Sequence, residues 1–283
     1  MKNVLAEWLK LFKRISRSIL NFIRYPHSVN RALDELRAIR SGYVYAQEFK
    51  QAAADNDISL SDMSAGPQLN PLKVYFDGHK QGRGIWKWRH YFDIYHCHFA
   101  KFVGSEVHIL EIGVFSGGSM EMWREYFGPK CHVYGVDIEE ACRVYENEYT
   151  KIFIGDQADR NFWKSFKNEV PRVDIVIDDG GHKTEQQIVA LEEMLPHISM
   201  GGVYLCEDII STNNPFTSYL HGLVKNLNEG SWDATASFRT KYFQSRIKSM
   251  HFYPYVVVIE KVDRPEKEFI APKHGTEWQP FLK

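Results

Sequence analysis

The sequence predicts a doubly wound α/β fold whose central sheet is mostly parallel, with an antiparallel pair of strands at one edge and a helical arm in front. From Val107 onward, short apolar runs alternate with amphipathic helical segments, which is the pattern of βαβ units. Near the carboxyl terminus, two apolar runs follow each other with no helix between them, which indicates an antiparallel pair. The predicted class is therefore Rossmann-like, and a chain of 283 residues can bury such a core without disulfides or a metal.

Strands and helices follow one another in a regular order. The predicted parallel strands are VHILEIGV, HVYGVDI, TKIFIGD, DIVIDDG and GGVYLCEDI. Helices are predicted over 116–127, 158–169, 185–198 and 216–228, with a short helix after the second strand. The runs SRIKSMHFYPY and YVVVIEKV supply the antiparallel edge pair, and the tail over 263–283 is predicted to be irregular.

The first 55 residues are predicted to form a helical arm, followed by a linker loop over 56–74. On a helical wheel, residues 1–24 place their apolar side chains on one half and six basic side chains on the other, against the single acid Glu7. A basic amphipathic helix of this kind suits the headgroup region of an anionic membrane. The alternative is that its apolar face packs on the main domain or on a partner subunit. A second helix is predicted over 28–54.

Composition argues against several classes of protein. A net charge of -1, from 35 Lys+Arg and 36 Asp+Glu, gives no general basic field, so no nucleic-acid partner is expected. The four cysteines contain no C-x-x-C pair, so we interpret them as reduced residues of a cytoplasmic protein and not as a zinc site or a disulfide framework. Charged residues interrupt the first helical turns, and no run is apolar enough to span a bilayer, so neither a signal peptide nor a membrane span is predicted.

The end of the first strand carries a glycine-rich turn typical of a nucleotide site. In a doubly wound sheet, ligands bind outside the carboxyl ends of the strands, where a tight turn lets the ligand approach the backbone. Phe115 stands where a dinucleotide fingerprint requires glycine, which argues against a nicotinamide cofactor. The candidate cofactor-binding residues in this strand and turn are Glu111, Gly113, Ser116, Gly117, Gly118 and Ser119.

The next two strand ends extend the predicted nucleoside site. Asp137 closes the second strand about 20 residues after the glycine turn, the spacing at which an acid accepts hydrogen bonds from ribose hydroxyls. Asp156 and Gln157 follow the third strand, at the place where a turn meets an adenine ring. Taken alone, Asp156 is better interpreted as a helix N-cap. Three such turns in the expected order favour a nucleoside-containing cofactor.

Four carboxylates are expected to converge at the ends of the fourth and fifth strands, Asp178 and Asp179 on one and Glu207 and Asp208 on the other. Like charges this close repel, and an all-oxygen donor set favours Mg²⁺, Mn²⁺ or Ca²⁺ over zinc. We therefore predict that Asp179, Glu207 and Asp208 bind a metal, although any one of them could instead cap a helix or pair with Arg or Lys. His182 follows Asp179 closely enough to act as a general base, with a structural helix-start histidine as the alternative.

Together these motifs resemble the class I S-adenosylmethionine-dependent methyltransferases. More narrowly, LEIGVFSGGSMEMWREYF, GVDI, GDQAD, DIVIDDGGH and the later ED resemble the metal-dependent sugar O-methyltransferases of macrolide biosynthesis and the related cephalosporin-hydroxylase-like group. The resemblance covers residues 75–210 and implies a methyltransferase domain over 75–262. It implies that the glycine turn holds the methionine part of the cofactor, Asp137 the ribose, and Asp156 and Gln157 the adenine.

The same resemblance implies the catalytic set. Acids at Asp179, Glu207 and Asp208 would bind Mg²⁺, with Mn²⁺ as an alternative, and His182 would act as the base beside Asp179. Asp178 is included among the predicted cofactor-binding residues. Tyr91 is also included, because the stretch around it is similar to the family's segment that closes over the cofactor.

The function implied is Mg²⁺-dependent O-methylation of a sugar or glycan acceptor. We also expect the enzyme to be a homo-oligomer. Candidates for stacking on a pyranose are Trp86, Trp88 and Tyr91, and candidates for pairing with an acidic group of the acceptor are Arg83, Lys87 and Arg89. The membrane-suited arm favours a cell-surface polysaccharide or glycolipid acceptor, including one with uronic acid, at the cytoplasmic face of the membrane. The alternatives are methylation of an antibiotic or catechol-like small molecule, and a catalytically silent cofactor-binding subunit at the membrane.

Overall fold

The computed structural model describes residues 26–48, 70–210, 214–230, 237–272 and 274–275. The chain divides into two compact units, residues 1–67 and 68–283. In the first unit, helix α1 spans Pro26–Glu48, close to the predicted second helix. The amphipathic helix predicted over 1–24 and most of the predicted linker lie outside the described residues. None of the helices within the described ranges is both long and apolar enough to cross a membrane.

A seven-stranded sheet forms the centre of the second unit. Its strands are β1 Val107–Ile112, β2 Cys131–Asp137, β3 Thr150–Ile154, β4 Val173–Asp178, β5 Ile198–Cys206, β7 Ile247–Tyr253 and β8 Val256–Lys261. They lie in the order β3-β2-β1-β4-β5-β8-β7, parallel from β3 to β5 and antiparallel at β8 and β7. The predicted doubly wound sheet with an antiparallel edge pair is confirmed. Strands β6 Ser237–Arg239 and β9 Glu268–Ile270 form a separate antiparallel pair.

Helices cover both faces of the sheet, which is why every residue of the central strand β4 is buried. The helices of this unit are α2 Pro71–Gly78, α3 Tyr91–Phe99, α4 Gly118–Phe127, α5 Arg160–Glu169, α6 Thr184–Met194 and α7 Phe216–Leu227, with 3₁₀ turns at Ala100–Phe102 and Glu140–Tyr145. One core packs α3 and α4 on the sheet and the other packs α5, α6 and α7. The sheet is therefore a rigid support for the loops at its strand ends.

Helix α2 is a difference from the sequence prediction, which placed a loop through this region. Asn70 caps the helix, because its side-chain oxygen accepts a hydrogen bond from the Leu72 N–H at 3.0 Å. The same side chain donates to the Phe92 carbonyl at 2.9 Å and so fixes α2 beside α3. Pro71 at the first helical position needs no hydrogen bond to its nitrogen. An eight-residue helix is too short for its apolar periodicity to stand out in the sequence.

The order of the strands places a switch point between β1 and β4. The chain runs outward from β1 to β2 and β3 on one side, and returns to continue through β4 and β5 on the other. Connections that leave in opposite directions open a crevice at the carboxyl ends of these strands. The predicted site residues follow these strand ends, so the fold brings them to one edge of the sheet.

Candidate active site

A cavity of about 1060 Å³ opens at the carboxyl ends of β1 to β5. Most of the predicted site residues line it: Tyr91, Glu111, Gly113, Ser116, Ser119, Asp137, Asp156, Gln157, Asp179, His182, Glu207 and Asp208. Gly117, Gly118 and Asp178 are not among the lining residues, although each adjoins a lining residue in the chain. The structure therefore brings the two predicted groups, the turns after β1 to β3 and the carboxylates after β4 and β5, into one cavity.

The glycines after β1 allow close packing of neighbouring chain segments. Gly113 has a φ of 91°, and a β-carbon there would overlap the carbonyl oxygen of Asp179. A β-carbon on Gly117, whose φ is 71°, would lie 2.7 Å from the Tyr145 ring. A side chain on Gly118 would collide with the backbone of residues 83–84. The turn thus requires glycine for the backbone conformation and for the approach of three other segments.

Asp137 organises the same turn. One carboxylate oxygen accepts hydrogen bonds from the Val114 and Phe115 N–H groups at 2.9 and 3.0 Å, and the other accepts from Glu139 N–H at 3.0 Å. Partial burial alone would raise the pKa of Asp137, but these backbone donors lower it overall. Phe115 itself has a φ of 49° and is 71% exposed at the mouth of the cavity. The acid predicted to hold a ribose is therefore ionised and fixed in orientation.

Gln157 is held at the cavity wall by a hydrogen bond to the buried acid Asp178. Its Nε2 donates to Asp178 at 3.2 Å, and its Oε1 accepts from the Gly181 N–H at 2.5 Å. Asp178 also accepts a hydrogen bond from the Tyr204 hydroxyl at 2.8 Å. Burial raises the pKa of Asp178 to about 7. Asp178 thus lies where it orients Gln157, whereas Asp156 accepts from the Ala158 N–H in a local turn.

Lys87 lies inside the predicted metal site. Its Nζ donates to Asp179 Oδ2 at 2.7 Å and to Glu207 at 3.0 and 3.2 Å, and it lies 3.2 Å from Glu111 Oε1. Tyr95 also donates a hydrogen bond to Glu207, at 2.6 Å. Burial raises the pKa of Glu207, and Asp179 adds to this while Lys87 opposes it. Burial would lower the pKa of Lys87, but the surrounding acids raise it well above its ordinary value, so its ammonium group is charged.

Asp208 and His182 face each other on the other side of Asp179. His182 Nε2 lies 3.7 Å from Asp208 Oδ2, and ligand atoms of these two residues and Asp179 lie within 4.8 Å of one another. Asp208 has a φ of 52°, a conformation that aspartate tolerates better than most residues. It accepts hydrogen bonds from the Tyr91 hydroxyl at 2.6 Å and from Trp88 Nε1 at 3.1 Å. Tyr91, predicted to contact the cofactor, thus positions a predicted metal ligand.

The basic residues predicted from the sequence to meet an acidic acceptor have partners within the chain. Arg89 forms a bidentate pair with Asp77 at 2.8 and 2.9 Å. Arg83 stacks over the Tyr145 ring at 4.7 Å and lies 3.4 Å from Glu121. Lys87 is in the acid site, as described above. Each of these cations is therefore committed to a contact within the chain.

Sequence reasoning missed two tyrosines at this site. Tyr95 lies one helical turn after Tyr91 on α3 and reaches Glu207, so its i, i+4 spacing from Tyr91 was an available signal. Tyr255, in the turn between β7 and β8, has a φ of 65°, and its ring lies 5.7 Å from Trp88. Nothing local in the sequence indicates that this distant turn packs against Trp88, which lines the cavity.

Comparison with known proteins identifies the class to which this architecture corresponds. No protein-family model matches the chain. The chain is 32% identical over 180 residues to demethylmacrocin O-methyltransferase of Streptomyces fradiae, covering 61% of this chain and 42% of that protein. It is 29% identical over 201 residues to 8-demethyl-8-alpha-L-rhamnosyl tetracenomycin-C 2'-O-methyltransferase of Streptomyces olivaceus, covering 64% and 53%. The chain spans about half the length of these curated relatives.

A solved structure shows the same relationship. The MycE methyltransferase from the mycinamycin biosynthetic pathway, in complex with Mg and SAH, superposes with a TM-score of 0.57 at 27% identity, covering 76% of this chain and 58% of that one. The fold is that of an S-adenosylmethionine-dependent methyltransferase. Within that class, the chain resembles the sugar O-methyltransferases of macrolide biosynthesis, and the resemblance inferred from its motifs is confirmed.

Proposed function

We propose that this chain transfers the methyl group of S-adenosylmethionine to a hydroxyl group of a sugar, with Mg²⁺ as the metal, Mn²⁺ as an alternative, and His182 as the general base. The observation that carries the proposal is that one cavity joins the turns after β1 to β3 with the carboxylates after β4 and β5, and that His182 lies among those carboxylates. Similarity to a methyltransferase solved with Mg and SAH supports the same assignment.

The residues after β1 to β3 fit the cofactor. Glu111 is buried; its Oε2 accepts hydrogen bonds from Ser119 at 2.7 Å and Trp123 at 3.0 Å, while its Oε1 lies 3.2 Å from the Lys87 ammonium. A buried carboxylate requires a cationic partner, which suits the ammonium group of the methionine portion. Asp137 would hold the ribose, and Gln157 would face the adenine.

The residues after β4 and β5 fit a divalent cation. Asp179, Glu207 and Asp208 supply oxygen ligands of the kind that Mg²⁺ prefers, and the Lys87 ammonium already stands between two of them as a cationic counterpart. His182 offers its ring nitrogen on the open side, where its side chain is 44% exposed. When bound, the metal supplies a positive charge that stabilises negative charge developing on the acceptor oxygen.

His182 accepts the proton that the acceptor hydroxyl loses in the reaction. The acceptor hydroxyl loses its proton to the imidazole, its oxygen forms a bond to the methyl carbon, and the bond from that carbon to the sulfonium sulfur breaks. The products are the methyl ether, S-adenosylhomocysteine and protonated His182. Asp208, 3.7 Å from the ring nitrogen, stabilises the imidazolium that forms.

Transfer of labelled methyl groups tests this function. Purified protein is supplied with labelled S-adenosylmethionine and with glycosylated small molecules, nucleotide sugars or glycan fractions as acceptors. We expect label in a sugar, lost with a chelator and restored by Mg²⁺. Methyl transfer at the same rate with and without the chelator would contradict the metal assignment. Cofactor binding without methyl transfer to any acceptor would favour a catalytically silent subunit.

The acceptor that we propose is a lipid-linked or polymeric cell-surface glycan, including one with uronic acid, methylated at the cytoplasmic face of the membrane by a homo-oligomer. Its support is the basic amphipathic sequence over 1–24, which lies outside the described residues. The second candidate is a glycosylated small molecule, which is favoured by the names of the curated relatives.

Vesicle flotation separates the two candidates. The full chain is compared with a variant in which Lys10, Lys13 and Arg17 are replaced by Gln, using vesicles with and without anionic lipid. Flotation with anionic vesicles that the variant loses supports a membrane-bound acceptor. Absence of flotation in both proteins, together with transfer to soluble glycosides, would favour the small-molecule acceptor.

A further inference from the structure

Residues 82–90, which we call the strap, cross the mouth of the cavity and are pinned at both ends. At one end, a β-carbon on Gly118 would collide with the backbone carbonyls of Arg83 and Gly84, so strap and cofactor turn are in direct contact. At the other end, Arg89 pairs with Asp77. Six residues of the strap, 84–89, line the cavity.

Lys87 fastens the centre of the strap to the acids. Its side chain is 4% exposed, between Trp86 and Trp88, which are 86% and 54% exposed. The ammonium group contacts carboxylates from three strand ends: Glu111 of β1, Asp179 after β4 and Glu207 after β5. A single buried cation therefore partly balances three acids whose mutual repulsion would otherwise be large.

In this arrangement both oxygens of Glu207 already accept hydrogen bonds. Its Oε1 accepts hydrogen bonds from Tyr95 at 2.6 Å and Lys87 at 3.0 Å, and its Oε2 accepts from Lys87 at 3.2 Å. The Lys87 ammonium also donates a hydrogen bond to Asp179 Oδ2 at 2.7 Å. A magnesium ion bound to these oxygens at about 2.0–2.1 Å would place a second positive charge close to the ammonium group, so the two cations would repel each other.

We propose that Lys87 is an internal counter-cation that competes with the divalent cation for Asp179 and Glu207, so that metal binding expels Lys87 and releases the centre of the strap. The proposal rests on the metal site of the proposed function. It adds that the metal-free protein holds the strap down through Lys87, and that the strap changes position with metal occupancy. Trp86 and Trp88 move with it, so the mouth of the cavity differs between the two states.

Direct measurement of Mn²⁺ binding tests the competition without relying on activity. Free Mn²⁺ is followed by its electron paramagnetic resonance signal in titrations of the wild type, Lys87→Met and Lys151→Met. Met matches the length of the lysine stem without its charge, and Lys151→Met makes the same change at an exposed lysine that pairs with Glu169 outside the cavity. We expect Lys87→Met to bind Mn²⁺ at least about tenfold more tightly than the wild type, equivalent to about 1.4 kcal/mol, and Lys151→Met to bind like the wild type.

Hydrogen exchange on the wild type gives a second readout that needs no variant. We expect amide exchange in a peptide covering residues 82–90 to become faster when Mn²⁺ or Mg²⁺ saturates the protein, while exchange in β4 stays unchanged. Unchanged exchange in the strap at saturating metal would overturn the proposal. A folded Lys87→Met protein that binds Mn²⁺ no more tightly than the wild type would overturn it as well.

The remaining outcomes separate this proposal from the proposed function. Mn²⁺ binding by Lys87→Met but not by the wild type supports competition, and it contradicts Mg²⁺ dependence of the natural protein. Absence of Mn²⁺ binding in both proteins overturns the competition. Chelator-resistant methyl transfer from labelled cofactor would then show that the transferase assignment stands without the metal.

Discussion

Gly113 and Asp179 are in direct backbone contact, because a β-carbon on Gly113 would overlap the Asp179 carbonyl oxygen. The Asp179 N–H also donates a hydrogen bond to the Ile112 carbonyl at 3.0 Å. The turns after β1 and β4 are therefore in contact through both backbone polar groups of Asp179. The predicted cofactor turn and the first predicted metal ligand therefore form one unit. A disturbance of either is expected to reach the other.

Replacing Gly113 by Ala should destabilise the fold and weaken cofactor binding together. The new methyl group would meet the Asp179 backbone, and alanine would be strained at a φ of 91°. Gly128 is a matched control, since its φ is 92° and a β-carbon there would have open space within 4 Å. We expect Gly113→Ala to lose about 1–3 kcal/mol more stability than Gly128→Ala in urea unfolding. Equal losses in the two variants would show that the contact with Asp179 is not tight.

Replacing Asp179 by Asn should abolish Mn²⁺ binding and lower methyl transfer by more than about 10²-fold, which exceeds the usual effect of losing an outer-shell partner. Asp179 contributes both a predicted ligand and the acid nearest His182 in the chain. Glu169→Gln, which removes an exposed acid paired with Lys151, is the control for a general change of charge. Full Mn²⁺ affinity in Asp179→Asn, measured by paramagnetic resonance, would remove this residue from the metal site.

His182→Gln should lower kcat by about 10²–10⁴-fold while leaving the affinity for S-adenosylhomocysteine unchanged, because the general base acts on the acceptor and not on the cofactor. The control is His221→Gln, which alters a histidine that stacks on Phe252 outside the cavity. Calorimetry measures the affinity, and single-turnover transfer measures the chemical step. A variant that transfers methyl groups at the wild-type rate would return His182 to a structural role.

His197 should make folding stability depend on pH. Partial burial lowers its pKa below 6.5, although its Nε2 donates to the Val170 carbonyl at 2.8 Å, which opposes the shift. Between the lowered and the ordinary pKa, the unfolded chain binds the proton and the folded chain does not. The stabilisation is therefore complete above 6.5 and is lost as the pH falls through this window.

His197→Gln keeps a donor near Val170 but cannot titrate. From about pH 7.5 to about pH 5, we expect the variant to lose less stability than the wild type in urea unfolding, because only the wild type gains a proton at this site on unfolding. Parallel losses would mean that His197 has the same pKa in the folded and unfolded chain.

The parallel strands of the sheet and the residues that follow them could be predicted because their sequence signals are local. The strand runs, the glycines after β1 and the acids at strand ends are each visible within a few residues, and the doubly wound topology then brings them together. Asp137 illustrates this, since its spacing from the glycine turn predicted a position that the structure places on the cavity wall.

The location of Lys87 was missed because it depends on long-range packing. The sequence suggested a basic group that meets the acceptor, whereas the structure places the ammonium among acids from three distant strand ends. Alternation in an extended segment places Lys87 on the side opposite Trp86 and Trp88, but only the structure shows that the tryptophans are the exposed pair and that the lysine faces inward. Helix α2 escaped prediction for a different reason: it is only eight residues long, and its one local signal is Asn70 followed by Pro71.

The turn between β7 and β8 lies beside one side of the cavity, away from the turns after β1 to β3. The Tyr255 carbonyl accepts a hydrogen bond from the Ile209 N–H at 2.9 Å, and its ring lies beside Trp88, so the antiparallel edge pair shapes the rim next to Asp208. The turns predicted to hold the cofactor follow β1 to β3, at the opposite half of the sheet. Under the proposed function, exchange of this hairpin turn would change the acceptor side of the cavity and leave the site of the methyl donor intact.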